Sequence, residues 1–87
     1  MIPEDLLSIE DKTKQVNNLF PCVETINSCL AKDTVDQDTK GTVYRNVVHL
    51  ENMLKYNYVQ NSGVDLQSVR DAIANGKTWL TENNYGT

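Results

Sequence analysis

Two stretches of the chain repeat one apolar spacing, i, i+4, i+7, i+11: Val43, Val47, Leu50 and Leu54, then Val69, Ile73, Gly76 and Leu80. At 3.6 residues per turn each set falls on one edge of an α-helix, whereas a strand would throw its members to both faces. The polar link between them, Asn57 to Gly63, reads as a loop, so the two helices fold back on each other as an antiparallel hairpin. The third helix of the chain is predicted over residues 38–57, with Tyr44, Val48 and Met53 beside its stripe and Arg45, His49, Asn52 and Lys55 away from it. The fourth is predicted over 65–81, capped by Asp65, with Val64 and Val69 bracketing the cap as a hydrophobic staple and Leu66, Ala72 and Trp79 beside the stripe. Asn75-Gly76 ordinarily marks a turn, yet the register runs through it unbroken to Leu80. The glycine stays in the helix at a cost of about 1 kcal/mol relative to alanine, and it lets a neighbouring helix approach closely. Thr81 to Thr87 reads as a polar tail.

Ahead of the hairpin, Pro3 followed by Glu4 and Asp5 suits a helix N-terminus, where proline costs little and acids favour the dipole. Ile2, Leu6, Ile9, Thr13, Val16 and Phe20 then share a stripe, and Pro21 ends the run by pushing Phe20 out of the helical region, giving a helix over 4–19. Beyond Pro21 the apolar face turns to Cys22, Val23, Ile26, Cys29 and Leu30, which predicts either a sharp kink or a second short helix over 21–32. Val23, Thr25 and Ile26 also suit a short strand. Residues 33–41 form a polar connection rich in caps: Thr34 with Gln37 matches a capping box, and Asp36 or Asp38 serves equally well. The expected architecture is a single all-α domain over 1–87, a small bundle of three to four helices.

A chain of 87 residues buries only about 60–65% of the surface its unfolded form exposes. Narrow stripes on so small a domain make self-association, as a homo-oligomer, a natural remedy. Twelve acids against eight bases give a net charge of −4. Residues 1–40 hold eight of those acids with four bases, while residues 41–87 hold four of each, so the excess negative charge lies entirely in the first half. Nucleic-acid binding needs a basic surface, and these scattered bases disfavour it. No apolar run exceeds three residues, which excludes a bilayer-crossing segment, and Met-Ile-Pro-Glu-Asp lacks the layout of a signal peptide. A cytoplasmic setting and free thiols are expected. Cys22 and Cys29 lie seven residues apart, about 10 Å along a helix, beyond the reach of a disulfide.

No constellation in the sequence carries chemistry. His49 is the lone histidine, and two cysteines seven apart match no zinc pattern. The four glycines are dispersed, so there is no phosphate-cradling loop, and Asp33-x-x-Asp36-x-Asp38 lacks calcium-loop spacing. Neither a catalytic residue, a metal nor a cofactor is expected, and the chain is read as a non-enzyme. What remains is contact surface. Tyr56, Tyr58 and Val59 cluster at the end of the third helix, with Trp79 and Tyr85 later, and tyrosine and tryptophan are common interface anchors. The same rings also serve to cap a small core. Asp33, Asp36 and Asp38 offer an acidic surface to a basic partner.

The segments Arg45-Asn46-Val47-Val48-His49-Leu50-Glu51-Asn52-Met53-Leu54 and Asp65-Leu66-Gln67-Ser68-Val69-Arg70-Asp71-Ala72-Ile73-Ala74-Asn75-Gly76-Lys77 resemble short all-helical proteins encoded by tailed bacteriophages. That resemblance implies a virion component or a regulator that binds a host or phage protein, and it assigns no functional residue. The expected function is protein–protein interaction or assembly without catalysis. The alternatives are an acidic inhibitor seated in the basic site of a nucleic-acid enzyme and, third, a small helical DNA-binding domain using Arg45 or Arg70.

Overall fold

The computed structural model describes residues 8–85. The expected start of the first helix at residue 4, with Ile2 and Leu6 of its stripe, lies outside them. Four longer helices and one single-turn helix follow in order: α1 (Ile9–Asn17), α2 (Leu19–Leu30), α3 (Gln37–Met53), α4 (Asn57–Gln60) and α5 (Gln67–Glu82). Among the described residues there is no strand, and no helix is long and apolar enough to cross a membrane.

The chain breaks between α1 and α2 at Asn18, three residues earlier than Pro21 predicts. Leu19 and Phe20 are helical, and Pro21 is the third residue of α2. The physical reason is that the first turn of a helix has no partners for its N–H groups, so a proline there forfeits no bond. Ser8 caps α1 by accepting the Asp11 backbone N–H at 3.0 Å. Of the cap candidates before α3, Asp36 is the one used, accepting the Thr39 N–H at 2.7 Å.

α3 stops at Met53, four residues short of expectation. The Gln60 side chain reaches back to donate to the Leu54 carbonyl at 2.7 Å, satisfying one of the acceptors that a helix end leaves open. The predicted loop thus contains α4, whose Val59 is fully buried. α5 begins at Gln67, two residues late, because Asp65 bonds the Gln67 N–H in a local turn (2.9 Å) and Leu66 occupies the cap position. Leu66 is the apolar residue buried at that entrance, while Val64 stands exposed.

The C-terminal segment departs furthest from a polar tail. Asn84 takes a left-handed conformation (φ 60°), Tyr85 N–H donates to the Leu80 carbonyl at 2.9 Å, and Asn84 N–H donates to Thr81 at 3.1 Å. These are the two bonds of a Schellman motif, which satisfies the last carbonyls of α5 and turns the chain back. The turn lays half-buried Tyr85 edge-on against Tyr44, with ring centroids 5.6 Å apart.

The core sits where α2, α3 and α5 pack on one another, with Leu19, Ile26, Val43, Leu50, Val59 and Val69 its most enclosed residues. Both predicted hairpin stripes are buried except Leu54, which is half-covered, its place in the core taken by Met53. Gly76 is the point of closest approach. A methyl group built there would lie 2.6 Å from a Val47 methyl, with Val43 and Ile26 behind it. α3 and α5 run antiparallel, Tyr44 meeting Tyr85 at one end and Glu51 meeting Lys77 at the other.

α1 stands apart from this three-helix core and lies against α2 and α4. Its predicted stripe is only partly used: Val16 is buried, Phe20 is half-buried, Thr13 is exposed and Ile9 is 85% exposed. Leu19, outside that stripe, carries the packing instead.

Candidate functional site

The residues expected to form a contact surface do not gather in one place. Tyr56 and Tyr58 flank the start of α4 with their rings stacked at 5.4 Å. Tyr58 faces α1, where the Lys12 ammonium lies 5.8 Å from its ring centre. Val59 between them offers no surface. Trp79 and Tyr85 belong to the far end of α5, both half-buried against the core. The loop acids Asp33, Asp36 and Asp38 are exposed.

Two surface depressions follow from this layout. The larger, about 660 Å³, lies between α2 and the start of α3 and is mostly polar; Glu24, Asp36 and Asp38 line it with Lys32 as the one base. Hydrogen bonds from Thr39, its hydroxyl first and then its backbone N–H, hold the Asp36 carboxyl below the usual carboxylate range. The buried thiol of Cys29 forms part of the floor. Burial raises the pKa of the other thiol, Cys22, so at neutral pH it is a poor nucleophile. His49 lines neither depression, and among the described residues no group of three or more His, Cys, Asp or Glu is placed to hold a metal ion.

The smaller depression, about 300 Å³, is the apolar one. α1 supplies Ile9, Lys12, Thr13 and Val16 from one face, at the helical spacing i, i+3, i+4, i+7, while Tyr58 and Val64 form the opposite wall. Ile9 and Val64, at 85% and 39% exposure, leave an open hydrocarbon rim around a floor that includes buried Val16. Both residues are visible in the sequence as apolar but were expected inside, Ile9 in a core stripe and Val64 in a staple. The signal that separates them is the polarity of their turn neighbours: Glu10, Asp11 and Lys12 leave α1 too little apolar surface to bury a full face.

Such an arrangement offers shape and hydrocarbon to a side chain of another molecule, with one cation at its edge. It presents no nucleophile, activated acid or metal. No protein-family model, curated protein or solved structure matches this chain, so its site is read on its own chemistry.

Proposed function

We propose that the chain works by protein–protein contact without catalysis, as a small assembly subunit that associates with copies of itself, of the kind tailed phages encode. The observation that carries this reading is the apolar groove between α1 and α4, with Ile9 held out in solvent at 85% exposure. Leaving a whole isoleucine side chain in water forgoes about 1.5–3 kcal/mol of burial. A partner surface recovers it. Light scattering across a concentration series tests this directly: the mass rises above that of one chain as concentration increases, with only weak dependence on salt, because the contact is mainly apolar. A mass fixed at one chain throughout removes self-association.

A second reading rests on the acids. Glu24, Asp36 and Asp38 converge on the larger depression, where Asp36 stays ionised well into the acid range. An inhibitor that engages a basic enzyme site in this way binds less tightly as salt rises, and loses affinity when Asp33, Asp36 and Asp38 are changed to Asn.

A further inference from the structure

We propose that the groove between α1 and α4 is filled by α1 of a second copy of this chain, the two helices crossing antiparallel about a two-fold axis near Lys12. This rests on the self-association proposed above and specifies its surface. Three observations converge on it.

The first is charge. Glu10 and Lys14 share one flank of α1, where they pair at 3.6 Å across a single turn, both well exposed. In a two-fold pair of antiparallel helices a flank meets its own copy in reverse order. Glu10 of each chain then faces Lys14 of the other, twice over. A parallel pair would set like against like.

The second is the apolar register. Ile9 and Val16 stand at opposite ends of the groove face of α1, seven residues apart. The midpoint of Glu10 and Lys14 falls at residue 12, and that of Ile9 and Val16 falls half a residue beyond, about 0.8 Å along the helix at 1.5 Å per residue. One axis therefore satisfies both sets. It carries the exposed Ile9 of each chain to the Val16 end of the other's groove, beside Tyr58 and Val64.

The third is size. A nine-residue helix is only about 14 Å long. With the α4 turn and Val64 beside it, the patch belongs with interfaces below about 1,200 Å² in total, which form weak and exchangeable complexes. The exposed Ile9, still compatible with a folded single chain, fits such a dimer.

Sedimentation velocity on the full chain from about 10 μM to about 1 mM, the range suited to a weak dimer, supplies the test. The wild type shifts from monomer to dimer over that range. Ile9→Asp raises the dissociation constant about a hundredfold, since two isoleucines lose their burial. Glu10→Lys and Lys14→Glu each raise it about tenfold by turning attraction into repulsion. Mixing those two variants restores dimerisation, because each then complements the other, and so does Glu10→Lys combined with Lys14→Glu in one chain. Circular dichroism on each variant verifies the fold, which exposed positions leave intact. A wild type that stays monomeric throughout overturns both this pairing and self-association, leaving the groove to a different protein. A wild-type dimer that Ile9→Asp and both charge reversals leave unchanged overturns the pairing alone. Failure of the mixture to recover overturns the antiparallel order.

Discussion

Replacing Gly76 by alanine sets two effects against each other at one atom. Alanine is the better helix former by about 1 kcal/mol, so an open site would gain stability. Gly76 is not open: the added methyl would lie 2.6 Å from Val47 Cγ2, against about 3.5–4.0 Å for a relaxed carbon pair. Val47 cannot swing aside. It is β-branched, which in a helix leaves one preferred rotamer, and it is only 2% exposed. The methyl also has Val43 at 3.5 Å and Ile26 at 3.6 Å, so relief requires α5 to move away from α2 and α3 together. Overpacking of this kind costs about 1–3 kcal/mol, and an overlap near 1 Å with a stiff neighbour belongs in the upper half of that range. After the helix-forming gain, Gly76→Ala should destabilise by about 1–2 kcal/mol, lowering the melting midpoint by roughly 5–15 °C for a domain of this size. Urea unfolding followed by circular dichroism on the wild type, Gly76→Ala, Val47→Ala and the double variant measures both terms. Removing the Val47 methyls makes room, so the double variant should be more stable than the two single losses added together by about 1 kcal/mol or more. If Gly76→Ala alone raises stability by the full helix-forming gain, α5 does not approach α3 closely at this point and the core geometry described above is wrong.

Asn84 occupies the left-handed position that closes α5, so Asn84→Gly should be neutral or mildly stabilising while Asn84→Val should cost about 1–2 kcal/mol; thermal melts separate the two. Asp36 has a lower pKa folded than unfolded, so its stabilising effect is present above the ordinary carboxylate range and fades as pH falls through the folded value. Asp36→Asn keeps an acceptor for Thr39 but should flatten the acid side of the stability profile, whereas Asp36→Ala should lower the melting midpoint at neutral pH as well. Cys22 is half-buried with a raised pKa and Cys29 is buried, so a thiol reagent at neutral pH should modify Cys22 slowly and Cys29 more slowly still, with both reacting at once in denaturant and no internal disulfide found by mass.

The hairpin was legible because its signal is redundant. Val43, Val47 and Leu50 match Val69, Ile73 and Leu80 at identical spacing, and even the conflict at Asn75-Gly76 was resolved by continuity of register, since Gly76 proves to be where the helices touch. What the residues did not disclose were ends and partners. Asn83-Asn84-Tyr85 reads as polar until Asn84 is seen in a left-handed turn that folds Tyr85 back on Tyr44. Asn57 to Gln60 reads as loop because a single helical turn is too short to show a period, and Val59 carries no sign that it will be enclosed. The expected contact residues failed to cluster for a related reason. Ring type marks a good anchor, but whether the anchor faces solvent or core is set by tertiary neighbours many positions away.

α1 shows where periodicity stops being informative and exposure takes over. Ile9, Thr13, Val16 and Phe20 do lie along one edge of the chain, as their spacing requires, but the core ends at Val16 and leaves Ile9 in water. A stripe in sequence states which residues share a face and says nothing about whose surface that face meets. Within one folded chain, α2 and α4 are the elements α1 packs against, and they cover only its C-terminal half. The remaining apolar surface sits beside an acid-then-base flank, Glu10 to Lys14, that is complementary to its own reverse. A helix built to be buried by its own domain has no need for that order of charge, because solvent screens it to a fraction of a kcal/mol. A helix that meets a second copy uses it to choose antiparallel over parallel. The misplacement of Ile9 in the core stripe and the case for self-association are therefore one observation: the spacing identified a buried face correctly, and the second chain is what buries it.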